Sequence, residues 1–244
     1  MLDNQSDKVI LVCYPMGAGG NFLINCLGLS DNCVFSHSDL AQKQLLGKFD
    51  FQSKVDYLMT RLDQCQQQGY WDDLGLGFVE LLGFPANNSA FSNLNFKHIV
   101  EKYIHPVMDE IFRSKQYFFL ACHDTFSVRQ YKIFWPNAKL IIFNNFSQFN
   151  KRRRLGNRPS HRLVSELWDA DIEVVLQQVS DPFHWNCLWY DEEQLVLQNL
   201  DRCCDWLNIA PIDHQAIKIY RKRWLEVVMI TDPAQENYAV NQVI

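Results

Sequence analysis

Residues 8–28 read KVILVCYPMGAGGNFLINCLG, an apolar run, a glycine-rich turn and a second apolar run. The first run is continuous and contains β-branched residues, which is typical of a strand buried on both faces in a parallel sheet. The second run ends at Gly28 and predicts a short helix with Asn21 near its N-cap. The chain is therefore predicted to begin as strand, glycine loop and helix.

Two further apolar segments predict strands. One spans 117–122 and ends at His123; the other spans 138–143, follows a turn formed by Trp135, Pro136 and Asn137, and ends at Asn144. About ninety residues separate the first predicted strand from the second. Within them, 45–116 are predicted to form a helical insertion. Its aromatic, turn-rich part, residues 70–95, is a candidate lid or acceptor wall.

Apolar periodicity predicts several helices, one of them closed by Gly69 and another kinked before Pro106. Their ranges are 55–65, 96–111, 161–178, 192–207 and 213–228. Together these elements predict an α/β fold: one domain, 1–244, with a three-layer, doubly wound parallel sheet.

Composition narrows the class of protein. The chain has 244 residues, of which 48% are hydrophobic and 14% aromatic, and these can build a packed core. Its net charge of −5 argues against a nucleic-acid binder that relies on bulk positive charge. No apolar run approaches the roughly 20 residues of a membrane span, and the N-terminus does not resemble a secretory signal. The eight cysteines form no CxxC pair, so we expect reduced thiols in a cytoplasmic protein.

The glycine loop is a candidate phosphate site. Glycines allow a tight turn that directs successive N–H groups inward, and the helix N-terminus adds partial positive charge. A plain strand-to-helix turn is the alternative. The loop is not a Walker motif, because Phe22 occupies the place of the second glycine and no lysine occurs between Lys8 and Lys43. The spacing of a dinucleotide-binding loop is also absent. The predicted phosphate ligands are the backbones of Gly17, Ala18, Gly19, Gly20 and Asn21.

His123 follows the second predicted strand, at the sheet edge where open α/β folds bind ligands. A neutral histidine there can accept a proton from an alcohol or amine near pH 7, so His123 is a candidate general base. The alternative is a polar residue before the next helix, with Asp124 or Thr125 as its cap. Asp124 could instead hold a metal ion in a kinase or phosphate-ester hydrolase.

A dense positive cluster follows the third predicted strand. It consists of Lys151, Arg152, Arg153 and Arg154, with Arg158 close behind. Arginine forks suit a phosphate monoester, and the cluster follows a strand on the ligand side of the sheet. A solvated basic face, or a patch that touches nucleic acid, explains the cluster equally well. The other histidines lack metal-ligand spacing, so no metal site is predicted. The adjacent Cys203 and Cys204 are interpreted as core residues. The aromatic run 183–190 could line a pocket, but core packing is the favoured interpretation.

The order of these features resembles the sulfotransferases that use 3′-phosphoadenosine 5′-phosphosulfate (PAPS). Their loop, Tyr-Pro-Lys-Ser-Gly-Thr-Thr, is similar to the segment from Tyr14 to Asn21, YPMGAGGN. Their Lys-x-His strand end resembles 121–123, ACH, and their Phe-Pro-Asn-Ala-Lys strand resembles 135–145, WPNAKLIIFNN. A late helix resembles 200–209, LDRCCDWLNI.

The resemblance implies a P-loop-type fold, PAPS as co-substrate and no metal ion. Residues 17–21 would hold the 5′-phosphosulfate, and His123 would deprotonate a hydroxyl or amine acceptor of unknown identity. The family's two lysines fall on Met16 and Ala121, and its 3′-phosphate arginine falls on Asn144. Lys151 and Arg152 would bind the 3′-phosphate instead. The loss of both lysines favours an alternative, a catalytically silent phosphonucleotide-binding or scaffold protein.

Overall fold

The computed structural model describes residues 6–15, 18–34, 50–68, 117–122, 125–153, 168, 172, 176–177 and 179–227. The strands are β1 (Val9–Cys13), β2 (Cys33–Val34), β3 (Tyr117–Cys122), β4 (Lys139–Asn144) and β5 (Phe183–Asn186). The helices are α1 (Gly20–Gly28), α2 (Phe51–Gln68), α3 (Thr125–Phe134), α4 (Phe146–Arg153), α5 (Glu193–Leu207) and α6 (His214–Val227). A 3₁₀ turn, Cys187–Asp191, follows β5.

The strands form one parallel sheet in the order β2-β3-β1-β4-β5. β1 is central, and all five of its residues are buried, as its unbroken apolar sequence predicts. The chain moves from β1 through α1 to β2 on one side, whereas β3 leads through α3 to β4 on the other. Right-handed crossovers therefore place α1 and α3 on opposite faces of the sheet. The predicted α/β class is confirmed.

Two strands were missed by the sequence analysis. β2 lies between the helix predicted to end at Gly28 and the predicted insertion 45–116, and it has only two residues, too few to show a period. β5 was interpreted only as aromatic core, yet it pairs with β4 from Ile141↔Phe183 to Asn144↔Asn186. Among the described residues the sheet therefore has five strands, two more than were predicted.

The α1 face of the sheet carries the larger described helical layer. α1 packs on β1, β2 and β3, and α5 and α6 pack against α1 and against each other. α2 lies along α6. α2 belongs to the predicted insertion 45–116, whereas the segment 70–95 and the helix predicted at 96–111 lie outside the described residues. Of the helix predicted at 161–178, the described residues 168, 172 and 176 are helical.

Candidate functional site

The carboxyl ends of the central strands meet at one edge of the sheet. Cys13, the last residue of β1, lies opposite Cys122 in β3 and Ile142 in β4. The connections diverge here, since β1 leads towards β2 whereas β4 leads towards β5 on the opposite side. Open α/β sheets bind ligands at such a divergence. The predicted loop thus lies where the topology favours a site.

Gly19 shapes the loop. Its backbone is left-handed, with φ 77° and ψ 21°, and it is the N-cap of α1. Glycine adopts this conformation without steric cost. The Gly19 carbonyl accepts from the Phe22 N–H at 3.1 Å, and the Ala18 N–H donates to Pro15 at 3.0 Å. The prediction of Asn21 near the N-cap is corrected, because the left-handed glycine starts the helix two residues earlier.

Aromatic rings lie against both described glycines of the loop. A Cβ atom on Gly20 would lie 2.2 Å from the ring of Tyr14. One on Gly19 would lie 2.9 Å from the ring of Tyr190 and 3.1 Å from that of Trp224. These glycines are therefore needed for packing, whatever binds to the loop. From the sequence, only two roles were predicted for these glycines, backbone turning and phosphate contact.

The same tyrosines bind polar groups of the loop. The Tyr190 hydroxyl donates to the Gly19 carbonyl at 2.7 Å, and the Tyr14 hydroxyl donates to Oδ1 of Asn21. In a trans peptide the N–H points opposite to the C=O. Since the Gly19 carbonyl faces Tyr190 and Phe22, the Gly20 N–H points away from them, out of the helix end. The Asn21 oxygen is occupied, which leaves its amide NH₂ as the group that can meet a ligand.

The N-terminus of α1 carries no compensating negative charge of its own. It has no side-chain cap hydrogen bond and no acidic residue in its first turn. The first N–H groups of a helix lack intrahelical partners, and the helix dipole favours an anion at this end. The loop and helix are therefore chemically suited to a phosphate or a sulfate ester.

Asn144 lies at the carboxyl end of β4, opposite Asn186 in β5. Its Oδ1 atom is buried and has no hydrogen-bond partner among the described residues. Asn145 then takes a left-handed backbone, φ 58°, and α4 begins. Asn144 thus offers a polar side chain two residues beyond the point where β4 pairs with the end of β1.

α4 contains two of the predicted phosphate ligands. Lys151 and Arg152 belong to its last turn, and their side chains lie outside the described part of the structure. Gly17, His123, Asp124, Arg154 and Arg158 also lie outside the described residues. The structure therefore brings together residues 18–21, the strand end that precedes His123, and Asn144.

The aromatic run 183–190, which forms β5 and most of the following 3₁₀ turn, supplies residues that were not predicted to belong to the site. Trp185 and Tyr190 are fully buried, which confirms their interpretation as core. Tyr190 nevertheless contacts the loop directly. The contact spans 171 residues of sequence, so no local pattern could reveal it. The extra loop glycines were the only sign of a bulky neighbour.

The cysteines contribute no reactive group among the described residues. Seven of them are buried thiols that form no disulfide, among them Cys203 and Cys204, which were predicted to be core residues. Burial is the main cause that raises the pKa of Cys33 and of Cys204 to about 12. In the described ranges, no three His, Cys, Asp or Glu side chains are grouped to hold a metal ion.

No described helix combines the length and apolar character needed to span a bilayer. Comparison of the chain with protein-family models, with curated proteins and with solved structures gives no match.

Proposed function

We propose that the chain is a sulfotransferase-like protein of the P-loop type that transfers a sulfuryl group from PAPS to a hydroxyl or amine acceptor. One observation carries the proposal: the N-terminus of α1, reached through left-handed Gly19, has no side-chain cap at the carboxyl end of the central strand. The order of sequence motifs around this point, which resembles the PAPS-dependent sulfotransferases, supports the choice of donor.

In this proposal the 5′-phosphosulfate binds the N–H groups of residues 18–21, and the Asn21 amide NH₂ adds a donor. Asn144 lies beside the nucleotide, and Lys151 and Arg152 bind its 3′-phosphate.

His123 acts as general base. It removes a proton from the acceptor, the acceptor oxygen or nitrogen forms a bond to sulfur, and the bond from sulfur to the bridging phosphate oxygen breaks. The products are the sulfated acceptor and adenosine 3′,5′-bisphosphate (PAP). His123 takes the proton that the acceptor loses, and PAP leaves with the electrons of the broken bond. The step needs no metal ion and no covalent intermediate.

The test is release of PAP from PAPS with phenols, sugars and amines as acceptors. The variant His123→Ala should lower the rate by about 10²–10⁴-fold, the usual contribution of a general base. His214→Ala is the matched control, because His214 pairs with Asp201 on the exposed surface of α5 and α6. If His123→Ala stayed within a few-fold of wild type, the base assignment would be wrong.

The second candidate is a non-enzymatic phosphonucleotide-binding or scaffold protein of the same fold. The observation in its favour is that Tyr14 and Tyr190 require Gly20 and Gly19 for packing. A chain without catalysis would keep both glycines for that reason. Binding of PAP without turnover of PAPS by any acceptor would support this candidate. For either function we propose a cytoplasmic protein, and the free described thiols agree with it.

A further inference from the structure

Tyr190 joins the glycine loop to the helix that follows β4. Its hydroxyl donates to the Gly19 carbonyl at 2.7 Å. Its ring centroid lies 5.8 Å from that of Phe149, which belongs to α4. One fully buried side chain therefore contacts the loop proposed for the 5′-phosphosulfate and the helix that carries Lys151 and Arg152.

Tyr190 is itself held by further contacts. The Arg221 guanidinium, on α6, donates to the Tyr190 carbonyl at 2.5 Å. The rings of Trp224 and Trp185 lie 5.3 and 6.0 Å from the Tyr190 ring, centroid to centroid. A side chain packed on several sides in this way has little freedom to change rotamer. It can therefore transmit a fixed geometry between the loop and α4.

The Tyr190 hydroxyl remains a donor under ordinary conditions. Burial raises its pKa well above the usual value of 10.0, so it stays protonated at neutral and moderately alkaline pH. The Gly19 carbonyl accepts this hydrogen bond in addition to that of the Phe22 N–H. The orientation of the Gly19–Gly20 peptide, and hence of the Gly20 N–H, depends on both.

We propose that Tyr190 is a positioning residue that fixes the glycine loop relative to α4, so that the two bind the two phosphate groups of one nucleoside 3′,5′-bisphosphate. The inference rests on the proposed function and deepens it. In it, Tyr190 sets the distance between the two phosphate sites without touching the ligand.

The experiment compares Tyr190→Phe with Tyr220→Phe by calorimetric titration with PAP and with AMP, which lacks the 3′-phosphate. Tyr220 is the matched control. It is buried in the same aromatic cluster, and its hydroxyl accepts from Asn25 at 2.9 Å, in the middle of α1. Both variants lose one buried hydroxyl, so both should lower the unfolding temperature to a similar extent.

The two variants should differ in binding. Tyr190→Phe should weaken both nucleotides about threefold to tenfold, the net value of one hydrogen bond, because it loosens the loop. Tyr220→Phe should stay within about twofold of wild type. A third variant, Phe149→Leu, should weaken the binding of PAP and leave that of AMP nearly unchanged. It loosens the contact between α4 and the Tyr190 ring, whereas the hydrogen bond from Tyr190 to the loop stays in place. Equal affinities in the two tyrosine variants would overturn the proposal, as would equal losses of PAP and AMP binding in Phe149→Leu.

Failure of the proposed function has a different signature. If wild-type protein bound neither nucleotide, the donor assignment would fall. Amide hydrogen exchange of Phe22 and Leu23, whose N–H groups donate to the Gly19 carbonyl, would then decide the positioning role in ligand-free protein. We expect exchange about tenfold faster in Tyr190→Phe than in Tyr220→Phe. Equal exchange rates would overturn it.

Discussion

The two ends of α1 are built differently. At its C-terminal end, the Lys54 ammonium group from α2 donates to the carbonyls of Gly28, Ser30 and Cys33 at 2.8, 3.0 and 3.1 Å. Lys54 is only 5% exposed. At its N-terminal end, the cap is Gly19, with no side-chain hydrogen bond and no acidic residue in the first turn.

The difference separates a structural end from a binding end. Lysine has three N–H donors, and Lys54 uses all of them on backbone carbonyls. Burial lowers its pKa from the usual 10.5, so keeping it charged costs stability that the three hydrogen bonds offset. The Lys54 cation thus compensates the negative, C-terminal end of the α1 dipole and binds the carbonyls there. The positive end has no equivalent anion among the described residues, and a ligand phosphate would supply one.

The largest expected effect is at the C-terminal end. Lys54→Met should remove one hydrogen bond from each of three buried carbonyls, of which that of Ser30 keeps the Cys33 N–H, and destabilise the fold by about 3–5 kcal/mol. At about 2–4 °C per kcal/mol for a chain of this size, calorimetry should show a fall in unfolding temperature of roughly 10 °C. The control is Lys218→Met, since Lys218 makes an exposed pair with Glu193; it should change stability by less than about 0.5 kcal/mol. Similar results for both variants would contradict the structural role of Lys54.

The next effect is at the N-terminal end. Gly20→Ala would place a methyl group 2.2 Å from the Tyr14 ring, and overpacking of this kind costs about 1–3 kcal/mol. Denaturant unfolding measures the loss. Adding Tyr14→Leu to Gly20→Ala should cost less than the sum of the single variants, because the smaller side chain relieves the clash. Additive losses would mean that Tyr14 is not the obstacle.

A smaller effect concerns the Cys33 thiol beside Lys54. Burial, the largest cause, raises its pKa to about 12, whereas Lys54 and Ser30 lower it. The native state therefore keeps this proton between pH 9 and 12 while the unfolded chain loses it, so this group makes the unfolding free energy fall as the pH rises through that window. Cys33→Ala should make the unfolding free energy depend less on pH in this window.

The accessibility of the Cys33 thiol gives a second measurement. In wild type at pH 8, peptide mapping after treatment with a thiol reagent should find Cys33 modified only once the protein unfolds. Rapid modification of native protein would contradict its burial.

Local patterns predicted three of the described strands and two of the described helices closely. The observed β1, β3 and β4 lie within one residue of the predicted strands 8–14, 117–122 and 138–143. The helices Glu193–Leu207 and His214–Val227 agree equally closely with their predictions. Each of these segments has a long apolar pattern of one clear period. β2 and β5 are short, and pairing with a distant strand defines them, so local sequence did not reveal them.

The sequence predicted where the candidate site lies, but not which contacts hold its residues in place. The loop after the first strand follows from the glycines between 17 and 20. That Gly19 is the cap, and that Tyr190 holds it, depends on contacts between segments far apart in the chain. Asn21 has the side chain of a typical N-cap residue, yet its oxygen accepts from Tyr14 instead.

The central claim is that the N-terminal end of α1 binds a phosphate group, and thermal unfolding with PAP tests it most directly. At about 100 times its dissociation constant, a ligand adds about 2.7 kcal/mol. For a chain of this size that predicts a rise of roughly 5–10 °C. Adenosine, at the same concentration and ionic strength, should give a much smaller shift because it carries no phosphate. No shift with PAP, or an equal shift with adenosine, would contradict the claim.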